Sequence, residues 1–99
     1  PDDAATPAFA RSRRANGLAY GLHRQGDRAA ALIEARRAAT FAGDAGHVRL
    51  RAMALLMIAR VSPRSPEGDE ARLRALGIAH ALADTTLLAR AAASARDRG

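Results

Sequence analysis

Cysteine, lysine and tryptophan are absent from this sequence of 99 residues, and aromatic residues make up only 3% of it. Without cysteine there is no disulfide and no thiolate metal ligand, which is compatible with a reducing compartment, and we expect a cytoplasmic protein. The scarcity of aromatic rings leaves few platforms on which nucleic-acid bases can stack. The longest apolar run, residues 52–59, is far shorter than the roughly 20 residues of a membrane span. We therefore expect no contact with a membrane.

Alanine, leucine and arginine dominate the composition, and all three are strong helix formers, so the sequence predicts an all-α protein. The length allows one domain with a thin core. Every basic residue is arginine and the net charge is +6, but the arginines are spread along the chain. We interpret them as a solvated surface whose arginine usage reflects a GC-rich bacterial genome. Because the sequence begins without methionine, we expect a piece of a longer protein.

The spacing of apolar residues predicts five helices, over residues 7–25, 28–42, 45–60, 67–83 and 85–98. Thr6 and Pro7 read as an N-cap and a first helical residue. Gly26 and Gly43 are typical of helix ends, and Asp27 is a typical N-cap. The prolines of the segment SPRSP, residues 62–66, forbid a continuous helix. These signals place three of the four connections between the helices.

The second half of the chain repeats the small apolar pattern of the first half at an offset of 40 residues, which places Asp84 on Asp44. In this register Ala71, Ala75, Ala79 and Leu82 fall on Ala31, Ala35, Ala39 and Ala42. Small residues at such intervals allow two helix backbones to approach closely. The pattern predicts two similar helical hairpins that stack side by side.

These residues resemble a tetratricopeptide repeat, a helix-turn-helix unit of about 34 residues. With Ser12 at the first family position, the matches are Leu18-Ala19 at the Leu-Gly site, Leu22 at an apolar site, Gly26-Asp27 at the turn, and Ala31 and Ala38 at two alanine sites. The departures are Ala15 at a usual tryptophan, Ala35 at a larger residue and Gly43 at a common proline. The resemblance implies a right-handed superhelix of about five antiparallel helices; a compact α bundle is the alternative.

In this interpretation residues 1–99 form a single helical-repeat domain. Residues 12–45 are the first repeat, 46–84 a degenerate second repeat with a linker at 61–67, and 85–98 a terminal helix. The segments ARRAATFAGD, RAMALLMIAR and ALADTTLLARAAASARDRG also resemble the helical-repeat regions of large bacterial regulators of the MalT and LuxR type. In such proteins repeats of this kind bind an inducer or a partner protein and relay the signal to separate ATPase and DNA-binding domains.

The sequence offers no catalytic set. His23, His47 and His80 fall on three different predicted helices, and neither an HExxH zinc motif nor a glycine-rich phosphate loop occurs. No nucleophile has a convincing partner base. We therefore predict a protein that is not an enzyme and that holds no cofactor and no metal.

The resemblance also implies a binding row. Family positions two, five, nine, twelve and thirteen, which face the concave side of such repeats, correspond to Arg13, Asn16, Tyr20, His23 and Arg24. A polar, positively charged row with one aromatic ring can grip an acidic peptide or a carboxylate through charge-assisted hydrogen bonds. The alternative, that this row is only the solvated face of an amphipathic helix, stays open.

The sequence thus predicts a non-catalytic interaction or effector-sensing module that binds a protein, peptide or small ligand within a larger bacterial transcriptional regulator. The parent protein would contact DNA only through domains outside this chain. A homodimer through the first or the last helix is a further expectation, because repeat stacks expose apolar ends. The alternative function is a DNA-binding helix-turn-helix that includes Ala38, Gly43 and Val48.

Overall fold

The computed structural model describes residues 7–98, and this part of the chain contains five α-helices and no strand. The helices are α1 (Pro7–Arg24), α2 (Arg28–Asp44), α3 (Val48–Val61), α4 (Pro66–Leu82) and α5 (Thr85–Arg98). The all-α class and the five helices predicted from the sequence are confirmed. No helix in residues 7–98 is long and apolar enough to cross a membrane.

Three of the four connections share one turn geometry. Helices α1, α2 and α4 each run into a residue in the left-handed region, namely Gly26 (φ 85°), Gly46 (φ 67°) and Ala83 (φ 52°). In each turn the amide of this residue donates to the carbonyl three positions earlier, and the next amide donates to the carbonyl five positions before itself. This is the Schellman arrangement, which satisfies carbonyls that the helix end leaves without partners.

The residue after each of these turns caps the next helix. The three capping bonds run from the Ala30 amide to Asp27 Oδ1 (3.2 Å), from the Leu50 amide to His47 Nδ1 (3.1 Å) and from the Leu87 amide to Asp84 Oδ1 (3.1 Å). A side-chain acceptor at this position replaces the partner that the first amides of a helix lack. Each turn therefore ends one helix and begins the next within about three residues.

The predicted bounds of two connections, between α2 and α3 and between α3 and α4, were wrong by one to three residues. Gly43 lies inside α2, which continues to Asp44, and the turn residue is Gly46; α3 therefore begins at Val48 rather than at residue 45. The non-helical linker comprises residues 62–65 rather than 61–67, because Val61 still belongs to α3 and Pro66 begins α4. The N-cap predicted at Thr6 lies outside the described residues.

The helices are arranged in two layers. Each helix packs on its neighbours in the chain, and in addition α3 packs on both α1 and α5. Among the described residues, no Cα atom of α1 lies within 8 Å of α5, and none of α2 lies within 8 Å of α4. The first layer is therefore the row α1, α3, α5, and α2 and α4 form the second. Of the five helices described, α3 alone packs on all the others.

Alanine fills most of the interface between the helices. Within the described residues seven alanines have no exposed surface, namely Ala19, Ala31, Ala35, Ala38, Ala42, Ala52 and Ala79. Larger buried side chains are concentrated on α3 and α5, where Leu55, Ile58 and Leu87 belong to the main core cluster. Ser12 is the one fully buried polar residue of the part described, and it is satisfied, because its Oγ donates to the Ala38 carbonyl at 2.7 Å. Because small residues separate the helices, their backbones approach closely.

The predicted small-residue stripe is buried in most of its members. Ala31, Ala35 and Ala42 on α2 and Ala71, Ala75 and Ala79 on α4 are all buried. Ala39 is only half-buried, and Leu82, matched to the buried Ala42, is 46% exposed. Burial therefore agrees in two of the four matched pairs, Ala31 with Ala71 and Ala35 with Ala75, and differs in the other two, so the repeat remains a prediction.

Two ion pairs tie separate helices together. Arg36 of α2 makes a bidentate pair with Glu67 at the start of α4, with both N–O distances 2.7 Å. Arg49 of α3 donates to Asp84, the N-cap of α5, at 2.8 Å. The hydrogen bond from Arg36 holds the pKa of Glu67 below its ordinary value. The hydrogen bonds from Arg49 and then from the Leu87 amide lower the pKa of Asp84 in the same way.

These lowered pKa values predict a loss of stability on the acid side. The unfolded chain takes up the two protons at a higher pH than the folded chain, so the stabilising contribution is complete above the ordinary carboxyl pKa and disappears as the pH falls through the lowered values. A Glu67→Gln, Asp84→Asn double variant should be slightly less stable than the wild type at neutral pH and should lose less stability on acidification. Urea unfolding at a series of pH values measures both effects.

The control is Glu70→Gln, because the Glu70 carboxylate is 73% exposed and lies 3.8 Å from Arg74. Both ion pairs are largely solvated, so the effect is small. Its sign is nevertheless fixed. If the unfolding free energy of the double variant fell with decreasing pH as steeply as that of the wild type, the two ion pairs would not contribute to stability.

Candidate functional site

A groove of about 520 Å³ lies on the face of the layer formed by α1, α3 and α5. All of its lining residues come from these three helices. Because α1 and α5 both pack on α3 and no described Cα atom of the one lies within 8 Å of the other, α3 forms the floor of the groove and the other two helices form its walls. The groove is partly open to solvent, and its volume is in the range of ordinary ligand sites.

The floor of the groove is apolar and deformable. Met53, Leu56 and Met57 of α3 line it, and all three are half-buried. Methionine has an unbranched, polarisable side chain that adapts to differently shaped apolar groups. Such a floor suits an aliphatic or aromatic side chain of a ligand rather than a purely polar one.

The walls are polar and carry positive charge. Asn16 and Tyr20 of α1, Arg60 near the end of α3, and Arg90 and Ser94 of α5 line the groove. No acidic side chain is among the described residues that line it. Arginine presents several donors in a rigid plane that matches a carboxylate. The groove therefore combines an apolar floor with a rim that attracts anions.

Tyr20 is the centre of the cationic side of the groove. Its ring is 40% exposed, and the guanidinium carbons of Arg24 and Arg60 lie 5.9 Å and 5.5 Å from the ring centroid. Cations at these distances are attracted by the ring face, which holds both guanidiniums near the groove. Arg24 thereby contributes charge to a groove that it does not itself line.

Asn16 has a carboxamide oxygen that is buried and accepts no hydrogen bond from the described residues. A buried acceptor without a donor destabilises a protein by about 1–3 kcal/mol. Unsatisfied polar atoms of this kind are rare in native proteins, and each calls for an explanation such as a bound water, an ion or a functional role. In this position a donor from a ligand, reached by rotation of the carboxamide, would remove the penalty.

The five residues predicted for the binding row divide into three groups. Asn16 and Tyr20 line the groove, and Arg24 contacts Tyr20. Arg13 is exposed on α1 and His23 is half-buried near its end, and neither lines the groove. The structure thus brings three of the five to one place, and their role in binding remains a prediction.

Sequence reasoning missed the part of the groove that comes from α3 and α5. Met53, Met57 and Arg60 lie at intervals of one and two turns on one face of α3, and Arg90 and Ser94 lie one turn apart on α5. These residues could have been found by applying the inward-facing positions of the tetratricopeptide family to the third and fifth helices as well as to the first.

A second, smaller depression of about 250 Å³ lies between α1 and α2. It contains Arg11, Arg14 and Arg37 beside Phe41, whose ring lies under the guanidiniums of Arg11 and Arg37 at 6.0 Å and 5.7 Å. Glu34 also lines it and accepts a hydrogen bond from Arg37 at 3.4 Å. Its cations are thus partly neutralised, and its volume is about half that of the main groove.

Within residues 7–98 no cluster of three or more histidine, cysteine or acidic side chains could hold a metal ion. The three histidines lie apart: His23 is in α1, His80 is exposed on α4, and His47 caps α3. The His47 ring also packs edge-on against Phe9 at 5.1 Å, which is a structural contact between α1 and the start of α3.

Comparison with family models, curated proteins and solved structures finds no match. The resemblance to tetratricopeptide repeats and to MalT- and LuxR-type regulators therefore remains a prediction from the residues. Function has to be argued from the groove itself.

Proposed function

We propose that this chain is a non-catalytic interaction module whose groove between α1, α3 and α5 binds an acidic peptide segment of a partner protein. The observation that carries the proposal is the composition of the groove. Arg60 and Arg90 line it and Arg24 stands beside it, the methionines of α3 form its floor, and no acidic side chain of the described residues lines it. Charge complementarity of this kind selects the partner and speeds association.

The resemblance to bacterial regulators supports a wider setting for the module. Repeat regions of MalT- and LuxR-type regulators sense an inducer or a partner protein, and we extend the proposal to a cytoplasmic bacterial transcriptional regulator of which this chain is one part. Two-layer packing, with α1, α3 and α5 in one row and α2 and α4 in the other, is compatible with stacked hairpins. That setting rests on the resemblance, whereas the binding site rests on the groove.

The packing of α3 argues against the alternative function of a DNA-binding helix-turn-helix. In that alternative α2 and α3 form the motif, and α3 must enter the major groove of DNA. Helix α3 instead packs on all four other helices and buries seven of its residues, among them Leu50, Leu55 and Ile58. Its half-buried residues Met53, Leu56 and Met57 line the groove, so most of α3 faces its own fold, and only the first turn at Val48 and Arg49 stays exposed outside the groove.

Titration with short labelled peptides tests the proposal. One peptide contains glutamate, leucine and glycine, and a second of equal length replaces every glutamate by lysine. We expect the acidic peptide to bind and the basic one to fail, with an affinity that falls as salt is added because the attraction is screened. Arg60→Glu should weaken binding of the acidic peptide by at least about tenfold.

The matched control is Arg74→Glu, because Arg74 is an exposed arginine of α4, a helix that contributes nothing to the groove. It changes the net charge by the same amount, so an equal loss of affinity in both variants would mean that only the overall charge matters. Equal binding of both peptides by the wild type would contradict the proposal. Binding of labelled duplex DNA at low salt that Arg60→Glu abolishes would favour the alternative function.

A further inference from the structure

Gly17 is a glycine that the fold of this chain does not require. It lies in the middle of α1, lines the groove, and a Cβ atom added to it would meet no other atom within 4 Å. Its φ is not in the left-handed region, so the backbone suits any residue. Glycine inside a helix is less stable than alanine because it loses more backbone freedom on folding. Neither packing nor backbone conformation therefore explains the missing side chain.

Building on the proposed function, we infer that the main chain of the bound acidic peptide lies directly against α1 at Gly17. The absence of a side chain at one position of a groove wall allows another backbone to come close to the helix. The neighbouring side chains suit a peptide group: Asn16 has an unsatisfied carboxamide oxygen, and Tyr20 and Ser94 each carry a hydroxyl that both donates and accepts. A peptide backbone needs donors and acceptors in alternation.

The rest of the groove suits the side chains of the same peptide. Arg60 and Arg90 offer donors only, so they match carboxylates and cannot accept a hydrogen bond from a main-chain N–H group. Met53 and Met57 offer an apolar surface on the floor between the two walls. The polar wall of α1 would thus contact the backbone, the arginines the acidic side chains, and the methionines an apolar side chain.

Gly77 provides a matched control on another helix. It lies in the middle of α4, is exposed like Gly17, and a Cβ atom there would also meet no atom within 4 Å. It does not line the groove. Substitution by alanine should therefore have the same effect on helix stability at both positions and a different effect on binding.

The experiment combines urea unfolding with titration of the labelled glutamate, leucine and glycine peptide. Gly17→Ala and Gly77→Ala should both shift the unfolding midpoint to higher urea. Gly17→Ala should raise the Kd for the peptide by about tenfold, because its methyl group would have to fit into a packed contact between the peptide and α1. Gly17→Leu should abolish binding. Gly77→Ala should leave the Kd unchanged.

The outcomes separate this inference from the proposed function. If the wild type binds the acidic peptide and Gly17→Ala binds it as tightly, the contact at Gly17 is refuted while the groove stands as the site. If the wild type does not bind, and Arg60→Glu behaves as the wild type does, the proposed function fails and this inference fails with it. A loss of affinity in Gly17→Ala together with a raised unfolding midpoint excludes misfolding as the cause and supports the contact.

Discussion

An Ala35→Leu variant is expected to lose about 3 kcal/mol of unfolding free energy, because its larger side chain has no space between the helices. Ala35 of α2 has no exposed surface and belongs to the same core cluster as Ala19 of α1 and Ala52 of α3, which are also fully buried. Burial of a leucine side chain would contribute at most about 3 kcal/mol if space existed. Here the helices would have to separate, and the weaker packing along the whole of α2 would outweigh that gain.

The matched control is Ala29→Leu, because Ala29 lies on the same helix and is exposed. Alanine and leucine are both strong helix formers, so the control should change stability by less than about 0.5 kcal/mol. Chemical denaturation of both variants, followed by circular dichroism, gives the comparison. A loss in Ala35→Leu that equals the loss in Ala29→Leu would show that the alanine interface is loosely packed.

The order and number of the helices could be predicted because each helix is marked locally. Gly26 and Asp27 mark the end of one helix and the start of the next, and the proline-containing segment 62–66 marks another connection. The position of the turn between α2 and α3 was predicted less accurately. Gly43 and Gly46 are both plausible helix ends in the sequence. The structure selects Gly46, because Gly46 has a left-handed backbone conformation and the next residue, His47, caps α3.

The groove could be predicted only in part, because it is a property of three helices together. Asn16 and Tyr20 were predicted as inward-facing positions of the first helix from the resemblance to tetratricopeptide repeats, and they do line the groove. Arg60 and Arg90 line the same groove because α1 and α5 pack on either side of α3. No pattern within a single helix predicts this packing. Arg13 was assigned to the same row, but its position on α1 leaves it outside the groove.

Gly68 should not tolerate any side chain, in contrast to the open glycines of this fold. A Cβ atom at Gly68 would overlap the carbonyl oxygen of Ser62 and would lie 3.0 Å from its carbon. Neither the Ser62 carbonyl nor the Gly68 backbone can move freely. The Ser62 carbonyl oxygen accepts a hydrogen bond from Ser65 Oγ at 3.0 Å, and the same Oγ accepts one from the Gly68 amide at 2.9 Å. The carbonyl of Val61, one residue earlier, is held by Arg28 Nε at 2.9 Å.

Two effects of opposite sign meet in the Gly68→Ala variant. Helix propensity favours alanine by about 1 kcal/mol, whereas the steric overlap with fixed backbone atoms opposes it by more. We expect a net loss of about 2–3 kcal/mol in the free energy of unfolding, measured by urea denaturation.

Gly77→Ala on the same helix isolates the steric part, since it shares the gain in propensity and meets no atom. The difference in unfolding free energy between the two variants therefore measures how closely α4 approaches the end of α3. A raised stability in both would mean that the connection between α3 and α4 is wide enough for a methyl group. Because this connection sets where α4 starts and hence where α5 packs against α3, the α5 wall of the groove would then be less firmly positioned than the contacts of Gly68 imply.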